Sequence, residues 1–231
     1  MIIWIVLLPI SIYLYKMIKD ALKYNLYAKI IDLPAANKAE IQSLLKKKEP
    51  LHIHCPIHDK PLTHDSLTRD LPGYIVCDDK KCVLLSSLTD PSSNNALIYR
   101  NRQLAHDSGY SKFLSRLFDY FSDPTSFNQA YDLSAWKGPT QTTLCHAKND
   151  TTLIVPLQGK TTLYLINPKH SDLKTKSVQS LKKYAHKITL EPQQMVWIPC
   201  QWFYFQDSEG PVLQSTLTMD TYWTWWYHSL R

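Results

Sequence analysis

The chain has 231 residues, of which 44% are hydrophobic, 20% charged and 12% aromatic, and its formal charge is +6. That much apolar surface excludes a disordered chain, and only one stretch is long and apolar enough to consider for a bilayer. Five glycines against 14 tyrosines and 7 tryptophans lean the chain toward strands, and five cysteines, an odd and low count, argue against a secreted disulfide scaffold and for a reducing compartment.

Met1 to Tyr15 carries no charge, and Lys16, Lys19 and Lys23 follow it. No basic residue precedes the run and no small-residue cleavage step follows it, as a signal peptide would require. The pattern predicts an uncleaved anchor over 1–24, with Trp4, Tyr13 and Tyr15 at the interfaces; a buried core helix is the competing reading. Lysines on the C-terminal flank put the rest of the chain in the cytosol, where the sequon at Asn149 stays unmodified. The other basic stretches, Lys46–Lys48 and Lys169–Lys187, read as solvated faces.

Residues 25–50 read as a linker with a helix over 34–48, Ile41, Leu44 and Leu45 sharing a face. Residues 51–88 form a Cys/His segment with strand-like pieces at Gly73–Val76 and Val83–Ser86. Residues 90–95 are a loop, and 111–121 predict a helix whose apolar face holds Phe113, Leu114, Leu117, Phe118 and Phe121. From Thr140 onward, short β-rich runs alternate with Gly, Pro and charged turns.

Within the Cys/His segment, Cys55 and His58 form one pair of soft ligands and Cys77 and Cys82 a second. Two short ligand-bearing loops are how structural zinc is usually held. The segment resembles a zinc ribbon, although the second pair is spaced wider than that pattern; His52, His54 and His64 are spare ligands. A polar loop with free thiols, or a Cys77–Cys82 disulfide, is the alternative.

Residues 136–168 and 188–204 resemble the JmjC-type hydroxylases of the cupin superfamily. The likeness rests on His146, on Gly159 and Pro168 after it, and on Ile198-Pro199-Cys200-Gln201-Trp202-Phe203. Thr221-Tyr222-Trp223 resembles that family's last strand. The resemblance covers roughly 95–227, within a domain over 95–231, and implies a mainly β fold with α additions, a double-stranded β-helix; the N-terminal membrane helix read from the apolar run precedes it. It also implies an iron site of two His and one carboxylate with 2-oxoglutarate as cosubstrate. Carried over by residue, His146 fits the first ligand, but Lys148 stands at the carboxylate and Tyr204 at the second His. The cosubstrate lysine falls at Thr161, beside Lys160, while Thr143 matches a cosubstrate-contacting threonine. Asp150 is the carboxylate that a shifted register would recruit.

The resemblance with these losses implies a pseudoenzyme without iron or 2-oxoglutarate, His146, Lys148 and Tyr204 marking a vestigial site. The expected function is a membrane-anchored interaction or structural module with a protein partner, in a cellular membrane complex or a membrane-containing virus particle. Nucleic acid is not the expected partner. An oxygenase with an atypical metal site, and a nucleic-acid or small-ligand binding module, are the alternatives. The aromatic run Tyr222–Tyr227 is expected to pack as a strand, its outer residues facing a partner or a membrane.

Overall fold

The structure, a computed structural model, describes residues 2–21, 29–35, 37–54, 62–77, 82–90, 97–122, 124–170 and 176–229. In chain order its elements are α1 (Ile2–Ala21), β1 (Ile31–Leu33), α2 (Lys38–Leu45), β2 (Leu51–His54), α3 (His64–Asp70), β3 (Ile75–Cys77), β4 (Cys82–Leu84) and β5 (Leu97–Asn101). Next come α4 (Arg102–Asp107), α5 (Tyr110–Phe121), β6 (Ser126–Trp136), β7 (Thr140–Gln141), β8 (Cys145–His146), β9 (Thr151–Gln158) and β10 (Thr161–Ile166). The chain closes with α6 (Val178–Leu181), β11 (His186–Leu190), β12 (Gln194–Pro199), β13 (Phe203–Ser208), β14 (Val212–Thr221) and α7 (Tyr222–Ser229).

The β-rich runs build two facing sheets. The large sheet runs β1-β2-β12-β9-β14-β6-β5, and the small sheet β11-β10-β13 continues to β7 and β8. From β6 onward the chain passes back and forth between the sheets: β6, β9, β12 and β14 lie in the large one, and β7, β8, β10, β11 and β13 in the small one. That winding is a double-stranded β-helix, the jelly roll of the cupin type. The chain is thus mainly β with added helices, as its sequence implies.

Strand alternation sorts the side chains into three layers. Ile154, Leu163, Leu165, Ile188, Leu190, Val196, Ile198 and Trp202 fill the space between the sheets. Leu153, Val155, Leu157, Trp197, Leu213 and Leu217 face outward from the large sheet, where Ile41, Leu67, Leu104, Leu114 and Phe118 of the helices cover them. Tyr164, Ile166, Phe203 and Phe205 cover the outer face of the small sheet under Leu181. Strand β9 is buried on both faces, and residues 153–157 within it form an unbroken apolar run.

The helix expected over 34–48 is α2, capped by Asn37, whose side chain accepts from the Ala39 amide at 3.0 Å. Gln42 ties α2 to the end of α5 by donating to the carbonyls of Tyr120 and Ser122 at 2.8 and 3.0 Å. Helix α5 presents Leu114, Leu117, Phe118 and Phe121 as its buried face. The segments expected as a linker and as a Cys/His unit share the main core. Strands β1 and β2 extend the large sheet beside β12, and Leu33, Ile53 and Leu85 lie in the same apolar cluster as Leu153.

One expectation differs from the structure. Thr221-Tyr222-Trp223 is not a strand: β14 ends at Thr221 and α7 starts at Tyr222. The turn into the helix is fixed by Asp150, which accepts from the Thr221 amide at 2.8 Å and from its hydroxyl at 2.6 Å, and by the buried Thr224 hydroxyl, which also donates to Asp150. A carboxylate is favoured at a helix N-terminus. Among the described residues, no helix is long and apolar enough to cross a membrane. Helix α1 is therefore a helix as expected, without the structure supporting it as a transmembrane segment.

One pH dependence follows from α3. The His64 ring is buried, its Nε2 lies 3.2 Å from the Val212 carbonyl, and burial holds its pKa below the ordinary value, with that contact and Asp65 opposing. Below about pH 6.5 the unfolded chain then binds the proton that the folded site resists. The urea midpoint is expected to fall as pH drops from 7 to 5, and His64→Gln to flatten that slope. An equal slope in the variant would remove His64 as its source.

Candidate functional site: the seam between the sheets

Strand β5 is the edge of the large sheet, and β8 lies at the corresponding edge of the small one. A bulge between Ile98 and Asn101 breaks the β5–β6 register, and Arg100 takes a left-handed φ of 50°. That conformation is costly for a residue with a side chain, so it must be held by its surroundings. The Arg100 amide is held by donating to Ser134 Oγ at 2.8 Å.

The bulge turns two side chains across the seam. Tyr99 Oη lies 3.2 Å from Cys145 Sγ. The Arg100 guanidinium lies 3.5 Å from Asp132, which also has Arg102 at 3.6 Å. Tyr204 is buried among the interior side chains, and its backbone position is opposite Cys145. Burial pushes the Tyr204 phenol up to about 12, against the pull of Arg100, and burial also raises Tyr99. Burial raises the Asp132 carboxyl too, with Arg100 and Arg102 opposing it. Two neutral phenols, a thiol and an arginine–carboxylate cluster therefore close the seam.

The three vestigial positions are not brought together. Cys145 and Ala147 pack with the interior cluster, so His146 between them points the other way. Its ring stacks on Phe203 at 4.6 Å and 18°, on the outer face of the small sheet. Lys148 is exposed, and its carbonyl accepts from Cys200 Sγ at 3.1 Å. Only Tyr204 reaches the interior. Thr161 donates to the Asp207 carbonyl at 3.2 Å, Lys160 pairs with Glu191 at 2.9 Å, and Thr143 is exposed. Asp150 is engaged by Thr221 and Thr224 and lies 3.8 Å from Lys48.

These residues do not fit an iron(II) triad. That site needs two imidazoles and a carboxylate facing one point. Here the inward groups are a thiol and a phenol with a guanidinium beside them, and a fixed cation disfavours a second one. Sequence reasoning did not find Tyr99, Arg100 or Asp132. The signal present was Asp132 itself, a charge in the otherwise uncharged strand β6.

In the zinc candidate, Cys55 and His58 lie outside the described residues. Cys77 and Cys82 are joined as a disulfide across the β3–β4 ribbon, with Cα atoms 4.0 Å apart. In that oxidised form neither sulfur is a thiolate ligand. Among the described residues no group of three or more His, Cys, Asp or Glu side chains could hold a metal ion. Of the spare histidines, His52 pairs with Asp32 at 2.8 Å, His54 lies beside the His52 ring at 4.8 Å, and His64 is buried under Val212. Cys200 is buried, and burial with nearby Asp150 pushes its thiol up to about 12, which makes it unreactive.

A groove of about 640 Å³ lies at the Gly159 and Gly210 turns, beside the small sheet. Lysines line it, but Lys182 is paired with Asp207 and sits over the Tyr164 ring at 5.2 Å. With Lys160 on Glu191, the groove holds mixed charge and no convergent set of groups.

No protein-family profile matches the chain, and no curated protein matches it. Among solved structures, the chain is similar to a cupin superfamily protein from Desulfitobacterium hafniense DCB-2. Identity is 12%, the TM-score is 0.31, and the likeness covers 43% of this chain and 81% of that one. The jelly-roll assignment rests on the strand order of the chain itself.

Proposed function

We propose that this chain is a membrane-tethered, JmjC-like jelly roll that serves as an interaction or structural module and does not turn over 2-oxoglutarate. The observation that carries the reading is the chemistry of the inward positions. Tyr204 stands where the resemblance implies the second histidine, Cys145 faces inward opposite it, Arg100 pairs with Asp132 and opposes the upward shift of the Tyr204 phenol, and His146 stacks outward on Phe203. Support for a tether comes from α1, where Leu8, Ile10, Ile12, Tyr13 and Tyr15 are between 47% and 67% exposed. A helix that shows so many large apolar side chains has a covering surface in its working state.

The test is an iron-supplemented turnover assay with 2-oxoglutarate on the purified full chain and its His146→Ala variant. No succinate above the protein-free control is the expected result. Iron-dependent succinate formation that disappears in His146→Ala would overturn the reading.

A further inference from the structure

Helix α7 carries an aromatic face that its own fold leaves largely exposed. Tyr222, Trp225 and Trp226 stand at i, i+3 and i+4, so they share one side of the helix. They are 57%, 44% and 38% exposed. Phe127 backs the face, stacking on Tyr222 at 4.3 Å and meeting Trp225 edge-on at 5.4 Å. Thr224, fully buried and bonded to Asp150, fixes how the helix is rotated. The aromatic face is therefore held outward by a buried anchor.

Helix α7 packs on β14 and β6 and also against α1. Leu14, Met17 and Ile18 are half-buried and share a helix face in the C-terminal half of α1. Leu8, Ile10, Ile12, Tyr13 and Tyr15 of the same helix are exposed, as are Lys16 and Lys19 toward its C-terminal end.

We infer that the α7 aromatic face is a second membrane contact, seated at the headgroup level of the bilayer that receives α1. This rests on the tether proposed above and adds how the jelly roll stands on the membrane. Three features favour lipid as the occupant. Indole and phenol rings are apolar bodies with polar tips, the chemistry that concentrates Trp and Tyr at the membrane interface. The face lies on a helix that packs against α1, and both helices expose large apolar side chains. Lys16 and Lys19 supply positive charge where anionic headgroups would lie. Asp150 then has a functional consequence, since it holds the foot on which the jelly roll stands.

The experiment uses full-length Trp4→Phe protein, so that α1 contributes no indole. It is reconstituted with phosphatidylcholine–phosphatidylserine vesicles, with or without bromine at shallow acyl positions. Trp136, Trp197 and Trp202 are buried in the fold and report no lipid, and the half-buried Trp223 is common to both proteins compared. Flotation reads the tether, and bromine quenching of tryptophan emission reads the foot. The expected result is flotation with quenching, and loss of most of the quenching in Trp4→Phe/Trp225→Phe/Trp226→Phe protein that still floats with unchanged circular dichroism. Flotation with equal quenching in both proteins, or with none in either, overturns the foot while leaving the tether. Absent quenching together with dimer sedimentation in detergent overturns it in favour of a second copy on the face. Failure of Trp4→Phe protein to float overturns the tether and the foot with it.

Discussion

Gly159→Ala is expected to lower the unfolding free energy by about 3 kcal/mol or more, near the upper end for a single substitution. Gly159 turns the chain from β9 into β10 with φ of 81°. A Cβ there would stand 2.1 Å from the Pro211 carbonyl oxygen and 3.2 Å from Val212 Cα. Both obstacles are backbone, so no rotamer change relieves them, and the turn before β14 must move. Two other glycines separate the causes. At Gly73, φ is 74° with nothing within 4 Å of the added Cβ, so alanine should cost only the left-handed penalty of about 1–2 kcal/mol. At Gly210, space is open and φ is not in the left-handed range, so alanine should stay within about 0.5 kcal/mol of the parent. Urea unfolding followed by tryptophan emission checks the order. A Gly159 cost no larger than that at Gly73 would mean the close approach to Pro211 contributes nothing.

The strands β9 to β14 were legible because each buries a regular apolar pattern between Gly, Pro or charged turns, and because Gly159 and Pro199 punctuate them where the fold bends. Strand β6 was hidden. Its inward positions include Asp132 and Ser134, so the polar residues that ordinarily mark the solvent face lie inside. The seam was hidden for a related reason. Arg100 and Asp132 become partners only after a bulge in β5 re-aims the chain, and no local pattern announces a bulge. The vestigial site shows a motif competing with strand alternation. Matching His146 to a metal ligand sends Cys145 outward, whereas the packed chain buries Cys145 and Ala147 and turns the imidazole onto Phe203. In the Cys/His segment, both a metal loop and a disulfide were open from spacing, and the antiparallel β3–β4 register sets Cys77 opposite Cys82.

Asp150→Ala is the second change with a large expected effect, about 3 kcal/mol of stability, from hydrogen bonds to a charged acceptor worth about 1.5–3 kcal/mol each and not additive. The carboxylate accepts from the Thr221 amide, the Thr221 hydroxyl and the Thr224 hydroxyl, and its side chain is 10% exposed. Removing it leaves these donors without their shared acceptor and takes an anion from beside Lys48. It also explains why the aromatic run was not recognisable as a helix. The acceptor that starts α7 lies 71 residues earlier in the chain, so nothing local distinguishes Tyr222–Ser229 from another aromatic strand. Asp150→Asn keeps an acceptor oxygen without the charge and should fall between parent and alanine. Hydrogen exchange across residues 221–229, beside urea unfolding, separates a local anchor from a general core role. Faster exchange in α7 at denaturant levels that leave β9 and β14 protected is expected for Asp150→Ala. Exchange that rises equally in all three elements would show that Asp150 supports the jelly roll as a whole and does not specifically seat the helix.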